Sequence, residues 1–356
     1  MSAPTRFIVV GAGYRAQFFW QLAASLTELD CVGVVVRTPR DLPVPTYTSL
    51  EDCVRATHPD FVITSTPWAV TPQTIMLAVD HGLPVLAETP PASDVAAMTE
   101  LWATVGGSGL VQVAEQYLLL PSHAARLAVV RSGAIGTPVQ AHVSSTQYYH
   151  AVSLIRGFLG LGRLPVSVHA SAFTAPLVNP LNRQRWTGED DPQPTRNVLA
   201  TLDFGAVDGV GRSGLYDFTD NQTRNPLRSR RTLVRGTHGE LSNDQVVRFA
   251  GPESVVTTPL VRRQTGHDLD LDGYDTDHIS YAAEVVYRNP VFGQHWNDDQ
   301  IAIATLMLQM AHWVGGSGPE PHPLADGCYD HQVGLAIDES LRTGGRVEVS
   351  GAPWMR

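Results

Sequence analysis

The chain has 356 residues, a length that favours two domains over a single core. Its 43% hydrophobic and 17% charged content is that of an ordinary globular protein, and a net charge of −10 argues against nucleic acid as a partner. All 25 basic residues are arginines, so any mechanism built on a lysine base, a Schiff base or a phosphate-loop lysine is excluded.

The N-terminus "MSAPTRFIVVGAGYR" enters a strand almost at once and lacks the basic start, apolar run and cleavage site of a signal peptide. Arg6 to Val10 is a short apolar run, and Gly11 to Ala16, "GAGYRA", follows directly. Phe19, Leu22, Ala23 and Leu26 then recur on one helical face, and Cys31 to Val36 is a second apolar strand. Strand, glycine turn, helix and strand form the context in which G-x-G-x-x-A binds a dinucleotide. Gly11 permits the tight turn, Gly13 lets the backbone approach a pyrophosphate, and Ala16 lets helix and strand pack closely, with Tyr14 and Arg15 on the same turn. The helix N-terminus offers N–H groups and a positive dipole end to the phosphates.

The second strand ends in Val36-Arg37-Thr38-Pro39-Arg40. An NAD site usually has a carboxylate here for the ribose 2′-hydroxyl. Arg37, Thr38 and Arg40 match a 2′-phosphate instead. NADP is therefore the expected cofactor, with NAD as the alternative because Asp41 stands close by.

Ser49 with Asp52 reads as a helix start, and Phe61 to Pro67 as a third strand running into a loop. Thr71-Pro72 opens another helix that Gly82 ends. Val85 to Ala87 closes a fourth strand, Ser93 is expected to cap the next helix, and Gly109 to Tyr117 holds a fifth strand. Strands alternating with helices imply an α/β fold with a doubly wound parallel sheet, whose ligands bind at the C-terminal strand ends. Glu88-Thr89-Pro90 and Glu115-Gln116-Tyr117 are expected there with Ser65-Thr66-Pro67-Trp68, and Ser65 to Trp68, Glu88, Thr89, Glu115 and Gln116 are the expected cofactor contacts.

From about Thr137 the pattern changes. "PVQAHVSS" reads as a strand, and "HAVSLIRGFLG" as a helix with Val152, Ile155 and Leu159 on one face. Val198, Ala200, Leu202 and Phe204 alternate as in a half-buried antiparallel sheet. "DLDLDGYDTDHI", Asp268 to Ile279, resembles half a calcium loop but ends in Ile279 where a bidentate Glu is needed, so no metal is expected. Arg228, Arg230, Arg231 and Arg235 read as a solvated or ion-paired sheet face. "DDQIAIATLMLQMAHWV" and "GCYDHQVGLAIDESLRTGG" are two further helices. No run of about 18 apolar residues occurs, so no membrane span is expected. Cys31, Cys53 and Cys328 suit thiols in a reducing cytosol, and a cytoplasmic location is expected. The domains are read as 1–120, dinucleotide-binding, and 121–356, substrate-binding and oligomerising, with the helix at 325–343 packing back on the first.

The stretches "VVGAGYRA", "ITSTP", "GLPVLAETPPA", "VAEQYLLLP", "RSGAIGTPV", "YYHAVSLIRGFLG", "RTLVRGTHGEL" and "WNDDQIAIATLM" occur in an order that resembles the Gfo/Idh/MocA family. The resemblance spans nearly the whole chain. It implies an NAD(P)-binding Rossmann domain followed by an α+β domain with a large open antiparallel sheet, and a homodimer or homotetramer formed through that sheet. It also implies hydride transfer at a secondary alcohol or ketone of a sugar, polyol or related small molecule. Three positions depart from the family. Its Glu-Lys-Pro lysine maps onto Thr89, its Asp-x-x-x-His aspartate onto Thr146, and its strand-two acid onto Val36, while the histidine is kept as His150.

Oxidising an alcohol needs a base near working pH. His150 is the first candidate, because imidazole suits the task and the position faces the nicotinamide in the family. Tyr149 and Tyr148 come next, if Arg156 lies near enough to lower a tyrosine pKa. Glu115 is third, and Glu88 is expected to position Thr89 or the ribose. Thr89 can donate one hydrogen bond to substrate but cannot act as base. Thr89, Tyr148 and Arg156 are thus the expected substrate contacts. Two other readings stay open: a lyase or hydrolase that uses the cofactor transiently, and a non-catalytic nucleotide- or sugar-sensing protein.

Overall fold

The apolar run after Arg6 forms β1 (Thr5–Val10) of a six-stranded sheet in the computed structural model, which describes residues 3–356. α1 (Tyr14–Ala23), β2 (Leu29–Val35), β3 (Thr46–Tyr47), α2 (Leu50–Thr57) and β4 (Phe61–Thr64) follow, then α3 (Thr71–Asp80), β5 (Val85–Ala87), α4 (Val95–Val105) and β6 (Val111–Val113). The strands are parallel in the order β3-β2-β1-β4-β5-β6. Phe7, Ile8, Val9, Phe61, Val62 and Ile63 are fully buried, as strands covered on both faces require. The order reverses between β1 and β4, which sets the crevice at the strand C-termini.

Local signals start the helices. Ser49 accepts the Asp52 N–H at 3.1 Å and caps α2. α4 is capped by Asp94, whose Oδ1 accepts the Ala97 N–H at 2.9 Å, and not by Ser93, which donates its hydroxyl to the other Asp94 oxygen. A carboxylate facing the first turn also meets the positive end of the helix dipole, so it wins the position from the adjacent serine.

The chain continues through α5 (Pro121–Arg131), β7 (Pro138–Ser144), α6 (Tyr148–Leu159), β8 (Val166–Leu177), β9 (Gln193–Val207) and β10 (Val210–Thr219). β11 (Arg231–Gly236), β12 (Gly239–Ser242), β13 (Gln245–Gly251), β14 (Ser254–Thr265), β15 (Asp275–Tyr281) and β16 (Glu284–Arg288) come next. α7 (Asp298–Val314), α8 (Leu324–Thr343) and β17 (Val347–Val349) complete it. The second sheet has eleven strands, ordered β16-β15-β14-β13-β12-β11-β7-β10-β9-β8-β17, with β7 and β10 parallel inside a largely antiparallel array. On β9, Val198, Ala200, Leu202 and Phe204 are buried while Leu199, Thr201 and Asp203 are exposed, so one face is covered and the other open. α6 packs on the covered face, where Ile155 lies so close to Gly214 that a Cβ there would come within 2.7 Å of it.

Two units result. The first extends to Pro121 and also takes in Arg263–His278 and Arg288–Tyr329; the second comprises Ser122–Arg262, Ile279–Tyr287 and Asp330–Arg356. Reading 121–356 as one domain is thereby corrected. The reason is α7. Ile301, Ile303, Leu306, Met307 and Met310 of α7 share one core with Phe19 and Trp20 of α1 and with Phe7 and Ile63. A helix this apolar must be covered nearly all round, and the first unit supplies the cover. α8 begins in the same unit, with Gly327 against the Val113 side chain, and passes into the second at Asp330. In the acidic stretch, Asp268, Asp270 and Asp272 are exposed. Asp275 is buried and its Oδ2 accepts the N–H groups of Gly293 and His295, which ties down the chain before α7. Among the described residues no helix is long and apolar enough to cross a membrane.

Candidate active site

β1 ends at Val10 and α1 begins at Tyr14, which leaves Gly11 to Gly13 as the turn. Gly11 has φ +113°, and a Cβ there would collide with the Ser65 carbonyl oxygen, so both conformation and space demand glycine. Gly13 is different. Its φ of −73° and ψ of −179° are open to any residue, and a Cβ would meet nothing within 4 Å. Nothing inside the protein requires glycine at 13. Gly13 is also the N-cap of α1, with no side-chain cap and no acidic residue in the first turn. The first helical N–H groups are thus left for a ligand, and the dipole favours an anion. Arg40 donates from Nη1 to the Ala12 carbonyl at 3.3 Å, which brings one guanidinium to the turn, while Arg37 and Thr38 are exposed. Ala16 is fully buried. These residues fit a dinucleotide: space where a Cβ would stand, free donors for the pyrophosphate, and cations nearby.

Three loops at the C-terminal strand ends complete the crevice in this unit. Ser65 to Trp68 follow β4, where the Thr66 and Thr71 hydroxyls lie 3.0 Å apart. Tyr14 and Trp68 are 61% and 57% exposed, aromatic surfaces that no core needs. Glu88 and Thr89 follow β5, and the Thr89 N–H donates to Glu88 Oε2 at 3.1 Å. Arg15 donates from Nε to Glu88 Oε1 at 3.1 Å and from Nη1 to Asp299 Oδ2 at 3.0 Å. Gln116 donates from Nε2 to the other Asp299 oxygen at 3.1 Å. Glu115 is buried, and its Oε1 accepts the Tyr117 N–H at 2.8 Å. Burial works against the Arg15 charge, but Glu88 and Asp299 outweigh it and raise its pKa.

Asp299 was missed by the sequence reading. Asn297 and Gln300 form a capping box, each accepting the other's backbone N–H at 3.0 Å, and that pattern places Asp299 in the first turn of α7. Its partner Arg15 lies 284 residues away, so no local signal reveals the link.

In the second unit, Tyr148, Tyr149 and His150 form the first turn of α6. The Tyr149 ring stands edge-on to His150 at 5.3 Å and lies 6.2 Å from the His331 ring. His150 is half-buried, Tyr149 is buried, and so is Thr146, where the family aspartate would stand. Tyr148 donates its N–H to the Tyr216 hydroxyl at 3.4 Å. Its own hydroxyl is pushed up to about 12, by burial and by Asp338. The expectation that Arg156 could make Tyr148 more acidic is therefore corrected. Arg156 is eight residues further on, a rise of roughly 12 Å along a helix. It donates from Nη1 to Asp330 Oδ1 at 2.8 Å, with side chains 7% and 0% exposed. The three cysteines are free thiols; burial pushes Cys31 up to about 12 and Cys53 to about 11.

Residues 5–116 match the family model described as an oxidoreductase family with an NAD-binding Rossmann fold. No curated protein matches the sequence. Solved structures share the fold over nearly the whole chain at low identity. An oxidoreductase from Agrobacterium radiobacter, in complex with NAD+, L-tartaric acid and magnesium, is 16% identical over 97% of this chain and 98% of its own, with a TM-score of 0.69. A myo-inositol dehydrogenase from Corynebacterium glutamicum is 18% identical over 98% and 100%, with a TM-score of 0.66. A levoglucosan dehydrogenase, in complex with NADH and levoglucosan, is 15% identical over 98% and 100%, with a TM-score of 0.69. Residues 5–116, with their glycine turn and parallel sheet, are similar to the NAD-binding domain of the Gfo/Idh/MocA oxidoreductase family.

Proposed function

We propose that the chain is an NADP-dependent oxidoreductase acting on a secondary alcohol or ketone of a sugar, polyol or related small molecule, with NAD as the alternative cofactor. The observation that carries this reading is Gly13, a glycine that neither backbone conformation nor packing explains and that a bound pyrophosphate would. The N–H groups after Gly11 and Gly13 would hold the pyrophosphate, and Arg37, Thr38 and Arg40 the 2′-phosphate. Ser65 to Trp68, Glu88, Glu115 and Gln116 would hold the ribose and the amide end. The nicotinamide, when bound, supplies the hydride donor or acceptor.

The rest falls to the chain's own side chains. With no lysine available, His150 takes or returns the hydroxyl proton, and Thr89 donates one hydrogen bond where the family has lysine. Tyr149, edge-on to the imidazole, restricts the ring's orientation. The inositol and levoglucosan dehydrogenases and the tartrate complex among the structural neighbours support a polyhydroxylated substrate. We take the enzyme to work in the cytoplasm as a homodimer or homotetramer, the open sheet face being the surface it offers.

The test is His150→Ala, with turnover followed through the absorbance of reduced nicotinamide across a panel of sugars and polyols. Turnover should be abolished while NADP affinity stays within a few-fold of wild type. Retained turnover removes His150 from the role. Tight NADP binding without turnover of any compound by the wild type points to a sensor.

A further inference from the structure

Three segments of the first unit are tied to one carboxylate, that of Asp299 in the first turn of α7. Its Oδ2 accepts Arg15 Nη1 at 3.0 Å, and its Oδ1 accepts Gln116 Nε2 at 3.1 Å. Arg15 also donates from Nε to Glu88 Oε1 at 3.1 Å, and the other Glu88 oxygen accepts the Thr89 N–H at 3.1 Å. The start of α1, the loop after β5 and the loop after β6 thus meet through a single side chain.

The helix does not need that side chain in order to start. Asn297 and Gln300 already form the capping box of α7, and the Asp299 side chain is 47% exposed. Arg15 stands where a cation is disfavoured, because the first turn of α1 is the positive end of its dipole. Two carboxylates and the Phe18 ring, 5.7 Å from the guanidinium carbon, hold it there. A lysine has no fork with which to bridge two carboxylates at fixed angles, but an arginine does. Gln116 is 3% exposed, and a carboxylate can only accept. The amide must therefore present its nitrogen to Asp299, which turns its oxygen the other way.

We propose that Asp299 is a positioning residue for the nicotinamide end of the cofactor. It sets the Gln116 amide with its oxygen as the acceptor on offer, and through Arg15 it holds the Glu88 carboxylate at the loop that carries Thr89. A ribose hydroxyl or a carboxamide N–H₂ group is the kind of donor such an acceptor meets. The inference rests on the cofactor reading above, which gives Glu88 and Gln116 to the ribose and the amide end. Exchange of the carboxylate for a carboxamide removes the effect without a change of shape. Asparagine donates as well as accepts, so the Gln116 amide is no longer fixed, and Arg15 loses a charged partner.

The experiment compares wild type, Asp299→Asn and Asn297→Ala by calorimetric titration of the full chain. NADP+ and NAD+ are the whole ligands, and 2′,5′-ADP and ADP are fragments that lack the nicotinamide end. Asp299→Asn should weaken the dinucleotide that wild type binds by at least about fivefold, the size of one misdirected hydrogen bond. Its fragment should bind within about twofold of wild type. Asn297→Ala removes the cap of the same helix, so it should lower the thermal midpoint and leave both affinities as they were. A merely structural role for Asp299 moves whole ligand and fragment together. Equal loss of both in Asp299→Asn, no loss of either, or the same selective loss in Asn297→Ala overturns the proposal and leaves the cofactor reading standing. A wild type that binds neither dinucleotide overturns that reading, and the proposal with it.

Discussion

Gly13→Ala and Gly11→Ala separate the two reasons for glycine in the turn. At Gly13 the backbone suits alanine, and a Cβ meets nothing within 4 Å. Alanine there gains about 0.4–1 kcal/mol from a stiffer unfolded chain. It gives back a similar amount because alanine is a poorer N-cap than glycine. The net change in stability is therefore within roughly 0.5 kcal/mol of zero. The added methyl, however, stands where a pyrophosphate would approach, so cofactor affinity should fall at least about tenfold, or about 1.4 kcal/mol. Gly11→Ala behaves in the opposite way. A positive φ costs a non-glycine residue about 1–2 kcal/mol, and the collision with the Ser65 carbonyl adds to it. Its melting midpoint should drop by at least about 2 °C. Thermal denaturation and calorimetric titration with NADP+ and NAD+ read both quantities. A Gly13→Ala protein that binds either nucleotide as tightly as wild type would refute the reasoning.

Other consequences follow from buried charges. Asp330→Ala strands the Arg156 guanidinium and should cost about 3–5 kcal/mol in urea denaturation, whereas Arg156→Met with Asp330→Leu should recover most of it. Burial, reinforced by the charges of Arg126 and Arg230, lowers the His123 pKa to about 3, so the folded protein holds this imidazole neutral. The unfolded chain takes up a proton below about 6.5, so the stability His123 contributes is intact above that pH and is lost as pH falls toward about 3. Between about pH 7 and pH 5 the loss is about 2 kcal/mol, and His123→Gln should lose that much less over the same interval. Tyr148→Phe should leave the shape of the pH–rate profile unchanged, because a hydroxyl pushed up to about 12 is no base in that range. A lost limb in that profile would return Tyr148 to the list of bases.

Much of the first unit was legible because its signals are local. "GAGYRA" between an apolar strand and an amphipathic helix needs no distant partner to be read, and the turn lies where that spacing puts it. The same holds for Thr71-Pro72 at the start of α3 and for the alternation along β9. Ser93 against Asp94 shows the limit of local reading: adjacent residues could both cap, and only the geometry of the first turn chooses the carboxylate. Two features were beyond reach for a deeper reason. The apolar pattern of α7 shows that it is buried but not against what, and its core partners Phe7 and Phe19 lie near the other end of the chain. Arg212 sits in a strand whose alternation reads normally, and nothing local shows that its Nε and Nη1 are buried with no hydrogen-bond partner among the described residues.

Hydride transfer itself can be followed atom by atom. NADPH carrying deuterium at its transferable position is incubated with the protein and a panel of keto sugars and oxidised polyols, and the alcohols are examined by mass spectrometry. The account predicts one deuterium on the carbinol carbon of at least one product, and none when His150→Ala replaces wild type. Tight NADPH binding with every alcohol unlabelled would contradict it.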